Sequence, residues 1–111
     1  MKVLVVDDDR DLRETLRDLL EDEGFDVLVS ADGVEALAVL EQHRDVGAIV
    51  LDLAMPVMDG HELYDRLRTD ERYARAKLVI VTSQVSRAPA GVPLMKKPIQ
   101  IDRLLALLQP S

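Results

Sequence analysis

Apolar residues along this chain alternate between short unbroken runs and longer stretches spaced three or four apart. The runs, rich in Val, Ile and Leu, fall at Lys2 to Val6, Asp26 to Val29, Val46 to Leu51, Leu78 to Val81 and Val92 to Met95. Several are apolar at nearly every position, the pattern of strands buried on both faces of a parallel sheet. Between them, Leu12, Leu16, Leu19 and Leu20 form one helical stripe, with Arg13, Glu14, Arg17, Asp18 and Glu21 covering the rest. Gly24 follows as a C-cap. A second helix from about Gly33 turns Ala36, Leu37 and Leu40 inward, a third from Asp59 carries Leu63 and Leu67, and the last runs from about Gln100 to Gln109. Strands alternating with helices predict an α/β fold on a parallel sheet.

One connection breaks the alternation. Only residues 83–91 separate the fourth strand from the fifth, fewer than a helical crossover normally takes. Nine extended residues span about 30 Å, enough to return along a short strand, and Ala88-Pro89-Ala90-Gly91 is poor helix material. The crossover helix there is expected to be short or absent.

Ligands of open parallel sheets bind at the carboxyl ends of the strands, and the polar residues of this sequence collect there. Asp7, Asp8 and Asp9 follow the first strand, Asp52 ends the third, Thr82 and Ser83 end the fourth, and Lys96 and Lys97 follow the fifth. An ionised carboxylate at the end of Ile49-Val50-Leu51 is costly unless a cation compensates it. With Asp8 as a second carboxylate the oxygen donors suit Mg²⁺ or Mn²⁺. Each residue also has a plainer reading: Asp9 or Asp11 as the N-cap of the first helix, Asp52 as a loop acid before Met55-Pro56, Thr82 as an ordinary strand residue, and Lys97 as a surface lysine before Pro98. None of these explains why the residues sit at successive ends of one sheet. His43 and His61 have no partner at ligand spacing and are assigned no role.

The length of 111 residues fits one domain, 1–111, with no room for a second. Composition is that of a globular protein, 48% apolar and 32% charged. No apolar run approaches the roughly 20 residues of a membrane span, and the start lacks a signal peptide's cleavage region, so a soluble, cytoplasmic protein is expected. The absence of cysteine excludes disulfides, thiolate metal sites and thiol nucleophiles. A net charge of −7 argues against direct nucleic-acid binding and for protein partners.

Val-Leu-Val-Val-Asp-Asp-Asp, then Val-Leu-Asp-Leu-Ala-Met-Pro-Val-Met-Asp-Gly, Val-Thr-Ser and Lys-Lys-Pro together resemble the signature blocks of response-regulator receiver domains of two-component signalling. The resemblance covers nearly the whole chain, with Asp7, Asp52 and Thr82 at intervals of 45 and 30 residues. It implies a flavodoxin-like, doubly wound five-stranded sheet in the order 2-1-3-4-5. It also implies roles: Asp52 as phosphoacceptor, Asp8 as direct metal ligand, Asp7 as an acid acting through metal-bound water, and the backbone carbonyl of Ala54 as a further ligand. Thr82 and Lys97 would bind the phosphoryl group. The implied activity is Mg²⁺-dependent transfer of a phosphoryl group from a phosphohistidine of a sensor kinase or histidine phosphotransfer protein to Asp52. The domain would assist only its own phosphorylation and dephosphorylation, and would not be a conventional enzyme.

The sequence departs from the family pattern in three places. Leu94 stands where a switching Tyr or Phe is common, the crossover helix is shortened, and Ala54 and Gln84 flank the path of attacking water with opposing expected effects. Leu94, Leu107 and the loop 85–92 form a candidate apolar patch for a partner or a second copy. Two other readings keep the fold. A pseudo-receiver scaffold would not need the intact Asp7, Asp8, Asp52, Thr82 and Lys97, and a phosphoaspartyl hydrolase would need a further acid or base that is not evident.

Overall fold

The computed structural model describes residues 1–52, 60–73, 76–82 and 91–108, with the side chains of 60 and 61 excluded. Within them the chain runs β1 (Lys2–Val6), α1 (Arg10–Asp22), β2 (Asp26–Ser30), α2 (Gly33–Gln42), β3 (Val46–Asp52), α3 (Gly60–Thr69), β4 (Lys77–Thr82), β5 (Leu94–Lys96) and α4 (Ile101–Leu108). All strand pairings are parallel and the sheet order is β2-β1-β3-β4-β5. The fold class and strand order are those expected.

Strand side chains alternate between the two faces of the sheet, and this divides the core in two. Leu4, Val6, Ile49, Leu51, Leu78 and Ile80 pack with Ala36 and Leu40 of α2 and Leu63 and Leu67 of α3. Val3, Val5, Val50, Val79 and Val81 pack instead with Leu16 and Leu20 of α1 and Leu104 and Leu108 of α4. Because both faces are covered, β1, β3 and β4 are buried at nearly every position, which is why they read as unbroken apolar runs.

Local signals set the ends of α1. The Asp9 side chain accepts from the Leu12 N–H and caps its N-terminus. At the C-terminus Gly24 adopts a φ of +92°, its N–H bonds to Glu21 O, and the Phe25 N–H reaches Leu20 O. This is a Schellman turn. α2 is capped in the same way as α1, by Asp32 accepting from the Glu35 N–H at 2.8 Å.

Two expectations are corrected. Leu19 does not join the buried stripe of α1 and is 39% exposed, because it sits a turn of about 100° from buried Leu20. The fifth strand begins at Leu94, two residues later than the apolar run. Pro93 has no N–H to donate, although its carbonyl still accepts from Ile80 N–H at 2.9 Å. The segment 83–90, where a short or absent crossover helix was expected, lies outside the described residues.

Nothing lies within 4 Å of where a Cβ at Gly24 would sit, so substitution there strains only the backbone. Gly24→Ala should therefore destabilise the fold by about 1–2 kcal/mol, lowering the melting temperature by roughly 4–10 °C in a thermal unfolding scan. An unchanged midpoint would show that the turn tolerates an L side chain at positive φ.

Candidate functional site

Strand register decides which residues meet. Val6 pairs with Leu51 across β1 and β3, so Asp7, one step beyond, faces Asp52. Asp52 pairs with Val81, which puts Thr82 one step further along β4. Thr82 pairs with Lys96, and the Lys97 N–H donates to Thr82 O at 2.9 Å. β2 and β3 lie on opposite sides of β1, so the gap between β1 and β3 is the point where strand order reverses. Asp7 and Asp52 stand at its mouth.

Among the described residues the buried polar side chains are Asp7, Ser30, Asp52 and Thr82. Three belong to the expected site. The fourth, Ser30, has a buried hydroxyl with no hydrogen-bond partner among the described residues, and it is its main-chain carbonyl that accepts from the Asp7 N–H at 3.1 Å. Lys97 Nζ lies 3.1 Å from Asp7 Oδ2 and 3.3 Å from Asp52 Oδ2, bridging two nearly buried carboxylates with one ammonium. Burial on its own would push the Lys97 pKa down, but the hydrogen bond and charge of Asp7, followed by Asp52, outweigh it and hold the group above the ordinary lysine value.

Asp8 is exposed, yet it belongs to the same cluster. One carboxylate oxygen from each of Asp7, Asp8 and Asp52 lies within 4.8 Å of the others. Three hard oxygen donors at that spacing, with no nitrogen or sulfur among them, fit a small divalent cation such as Mg²⁺ or Mn²⁺. Asp9 serves the helix instead, as its N-cap.

The comparisons with known proteins agree with this geometry. Residues 3–109 match the response regulator receiver domain family. The chain belongs to that family. It is 37% identical over 114 residues to the response regulator MprA of Mycobacterium avium, covering 98% of this chain and 50% of the relative. MprA of Mycobacterium leprae is 36% identical with the same coverage. The chain thus spans about half the length of the curated relatives it matches. Among solved structures, the chemotaxis protein CheY4 of Vibrio cholerae superposes with a TM-score of 0.85 at 32% identity, over 97% of this chain and 95% of that one. The receiver domain of the hybrid histidine kinase CckA gives 0.83 at 29% identity, over 98% and 100%.

The receiver domain therefore gathers Asp7, Asp8, Asp52, Thr82 and Lys97 at one edge of its sheet. Ala54 and Gln84 lie outside the described residues. His43 stands apart from the cluster, with Nδ1 3.5 Å from Lys2 Nζ, and the side chain of His61 is outside the described set. The Lys97–Pro98 peptide bond is cis. Leu94 is half-buried against the α2 and α3 layer and Leu107 against the α1 and α4 layer, while residues 85–90 of the candidate patch are outside the described set. Sequence reasoning overlooked Arg13, counted above as part of a solvated helix face. Its Nη1 donates to the Asp7 carbonyl at 2.9 Å, and the available signal was its place in the first turns of the helix that follows the acidic triplet.

Because the folded Lys97 pKa is raised, the stability it contributes is fully present below the unfolded value near 10.5 and is lost as pH rises through the folded value. Lys97→Met should lower the melting temperature at pH 7, and the gap to the wild type should narrow above pH ~10.5. Melts of both proteins from pH 7 to 11.5 test this. Parallel curves across the whole range would show that the ammonium does not hold the two carboxylates.

Proposed function

We propose that this receiver domain accepts a phosphoryl group on Asp52 from a phosphohistidine of a protein donor, with a divalent cation held by Asp7, Asp8 and Asp52. The observation that carries the reading is the Lys97 bridge. It sets a positive charge 3.3 Å from the Asp52 carboxylate, the partner that an acid at the end of an apolar strand needs if it is to act as an ionised nucleophile. A carboxylate oxygen of Asp52 attacks phosphorus in line. The new O–P bond forms as the P–N bond to the donor imidazole breaks, and the nitrogen keeps the bonding pair and takes a proton. Transfer of this kind depends mainly on positioning and on neutralising charge at the equatorial oxygens. Lys97 Nζ supplies one positive charge, and Thr82, tied to Lys97 through the backbone, would offer a hydroxyl from the same end of the sheet. A bound cation would supply further charge neutralisation there. Water attacking phosphorus of the acyl phosphate breaks the Asp52 O–P bond and releases inorganic phosphate, which restores the carboxylate, so the domain acts on its own modification alone.

The donor must come within bonding distance of Asp52, and the neighbouring surface suits a protein. A groove of about 320 Å³ between α1 and the segment after β5 is lined by Leu12, Leu16, Leu19, Pro98, Ile99 and Ile101, with Lys97 and Asp9 also on its wall. Leu19, exposed on this groove, is a contact for an apolar patch on the donor.

Incubation with Mg²⁺ and acetyl phosphate should add the mass of one phosphoryl group to the wild type and none to Asp52→Ala. A wild type that gains no mass would leave the interaction-scaffold reading in its place. Leu19→Glu should slow transfer from a phosphorylated histidine phosphotransfer protein by roughly tenfold, the factor equivalent to about 1.4 kcal/mol of lost contact, while reaction with acetyl phosphate is unchanged. Equal slowing with both donors would remove the groove from the docking surface.

A further inference from the structure

The acids at the mouth of the sheet hang from a short turn, residues 7–9, between β1 and α1. Besides the Lys97 bridge to the Asp7 carboxylate, three hydrogen bonds fix its first residue. The Asp7 N–H donates to Ser30 O at 3.1 Å, the Asp9 N–H donates to Asp7 Oδ1 at 2.9 Å, and the Asp7 carbonyl accepts from Arg13 Nη1 at 2.9 Å. The first two use main-chain donors that any residue would supply. Apart from the Lys97 bridge, only the third depends on a side chain outside the acidic cluster, and it alone holds the main chain of the turn by a side chain from outside that cluster.

Arg13 is well placed for this. Side chains on a helix tilt toward its N-terminus, so from the second turn of α1 the guanidinium reaches back over the capping residue to the peptide between Asp7 and Asp8. Its choice of partner is informative. With Asp7, Asp8 and Asp9 all close by, it bonds a neutral carbonyl, and among the described residues it forms no ion pair with a carboxylate. The carboxylate of Asp7 is left to Lys97, that of Asp9 to the helix cap, and the Asp7–Asp8 peptide plane is held without any cluster oxygen being covered.

We infer that Arg13 is a positioning residue: by clamping the Asp7 carbonyl it sets the direction in which Asp8 projects, and so the spacing of the oxygens offered to a divalent cation. This rests on the metal-site reading above. Guanidinium charge near the site opposes cation binding, whereas the clamp favours it, so the sign of the effect on affinity decides between the two.

Mn²⁺ titration followed by electron paramagnetic resonance, on wild type, Arg13→Ala and Arg13→Lys, reads that sign. Arg13→Ala should weaken Mn²⁺ binding about tenfold, the lower end of what loss of an outer partner of a metal ligand brings, and Arg13→Lys should recover most of it. Phosphorylation by acetyl phosphate should need more Mg²⁺ in Arg13→Ala but reach the wild-type rate at saturation. In metal-free protein the Asp8 and Asp9 amides should exchange hydrogen several-fold faster in Arg13→Ala, with the β3 amides unchanged as evidence of an intact fold. Unchanged or tighter Mn²⁺ binding by Arg13→Ala would overturn the inference. A wild type that binds no Mn²⁺ would remove the metal reading, and unchanged Asp8 and Asp9 exchange would then remove the clamp as well.

Discussion

The structure turns on the compensation of a carboxylate that an apolar strand carries to its end. β3 is buried from Ala48 to Asp52, with Asp52 only 5% exposed, and an ionised acid in that setting is unfavourable without a partner. The partner comes from the far side of β4, through the short edge strand β5 and the turn that brings Lys97 back over Thr82. The parallel order that places β1 and β4 on either side of β3 is therefore what allows Asp7, Asp52 and Lys97 to share one charge balance. A different strand order would leave the same residues with unmatched charges.

Much of this was legible in the sequence because the informative patterns are local. Unbroken Val and Ile runs report burial on two faces, and an acid or lysine directly after such a run has few places to go except the sheet's carboxyl edge. The N-cap was narrowed to Asp9 or Asp11 for the same reason, being a matter of a few residues, and the structure selects Asp9. Less local features were not. Leu19 matches the helical period, but whether the edge of a stripe is covered depends on what packs opposite it, and the segment after β5 leaves a groove there. The start of β5 was misplaced because hydrophobicity does not register the N–H that Pro93 lacks.

Arg13 illustrates a further limit. By composition it belongs to a charged helix face, and in most helices such a residue is solvated. Its bond to the Asp7 carbonyl depends on the angle at which α1 leaves β1, which three main-chain and side-chain bonds around Asp7 and Asp9 determine together. Ser30 is similar: a small polar residue at the end of β2 whose contribution to the site lies in its carbonyl.

β5 pairs with the sheet through three residue positions on β4, and its predecessor Pro93 adds an acceptor without a donor. The strand that delivers Lys97 is thus the most lightly fastened in the sheet, whereas β3, which delivers Asp52, is held on both sides and along its length. Carboxylate and counter-charge are mounted on supports of unequal stiffness. A change of charge at Asp52 would be met first by movement at the edge, leaving the centre of the sheet as the fixed reference against which that movement is read.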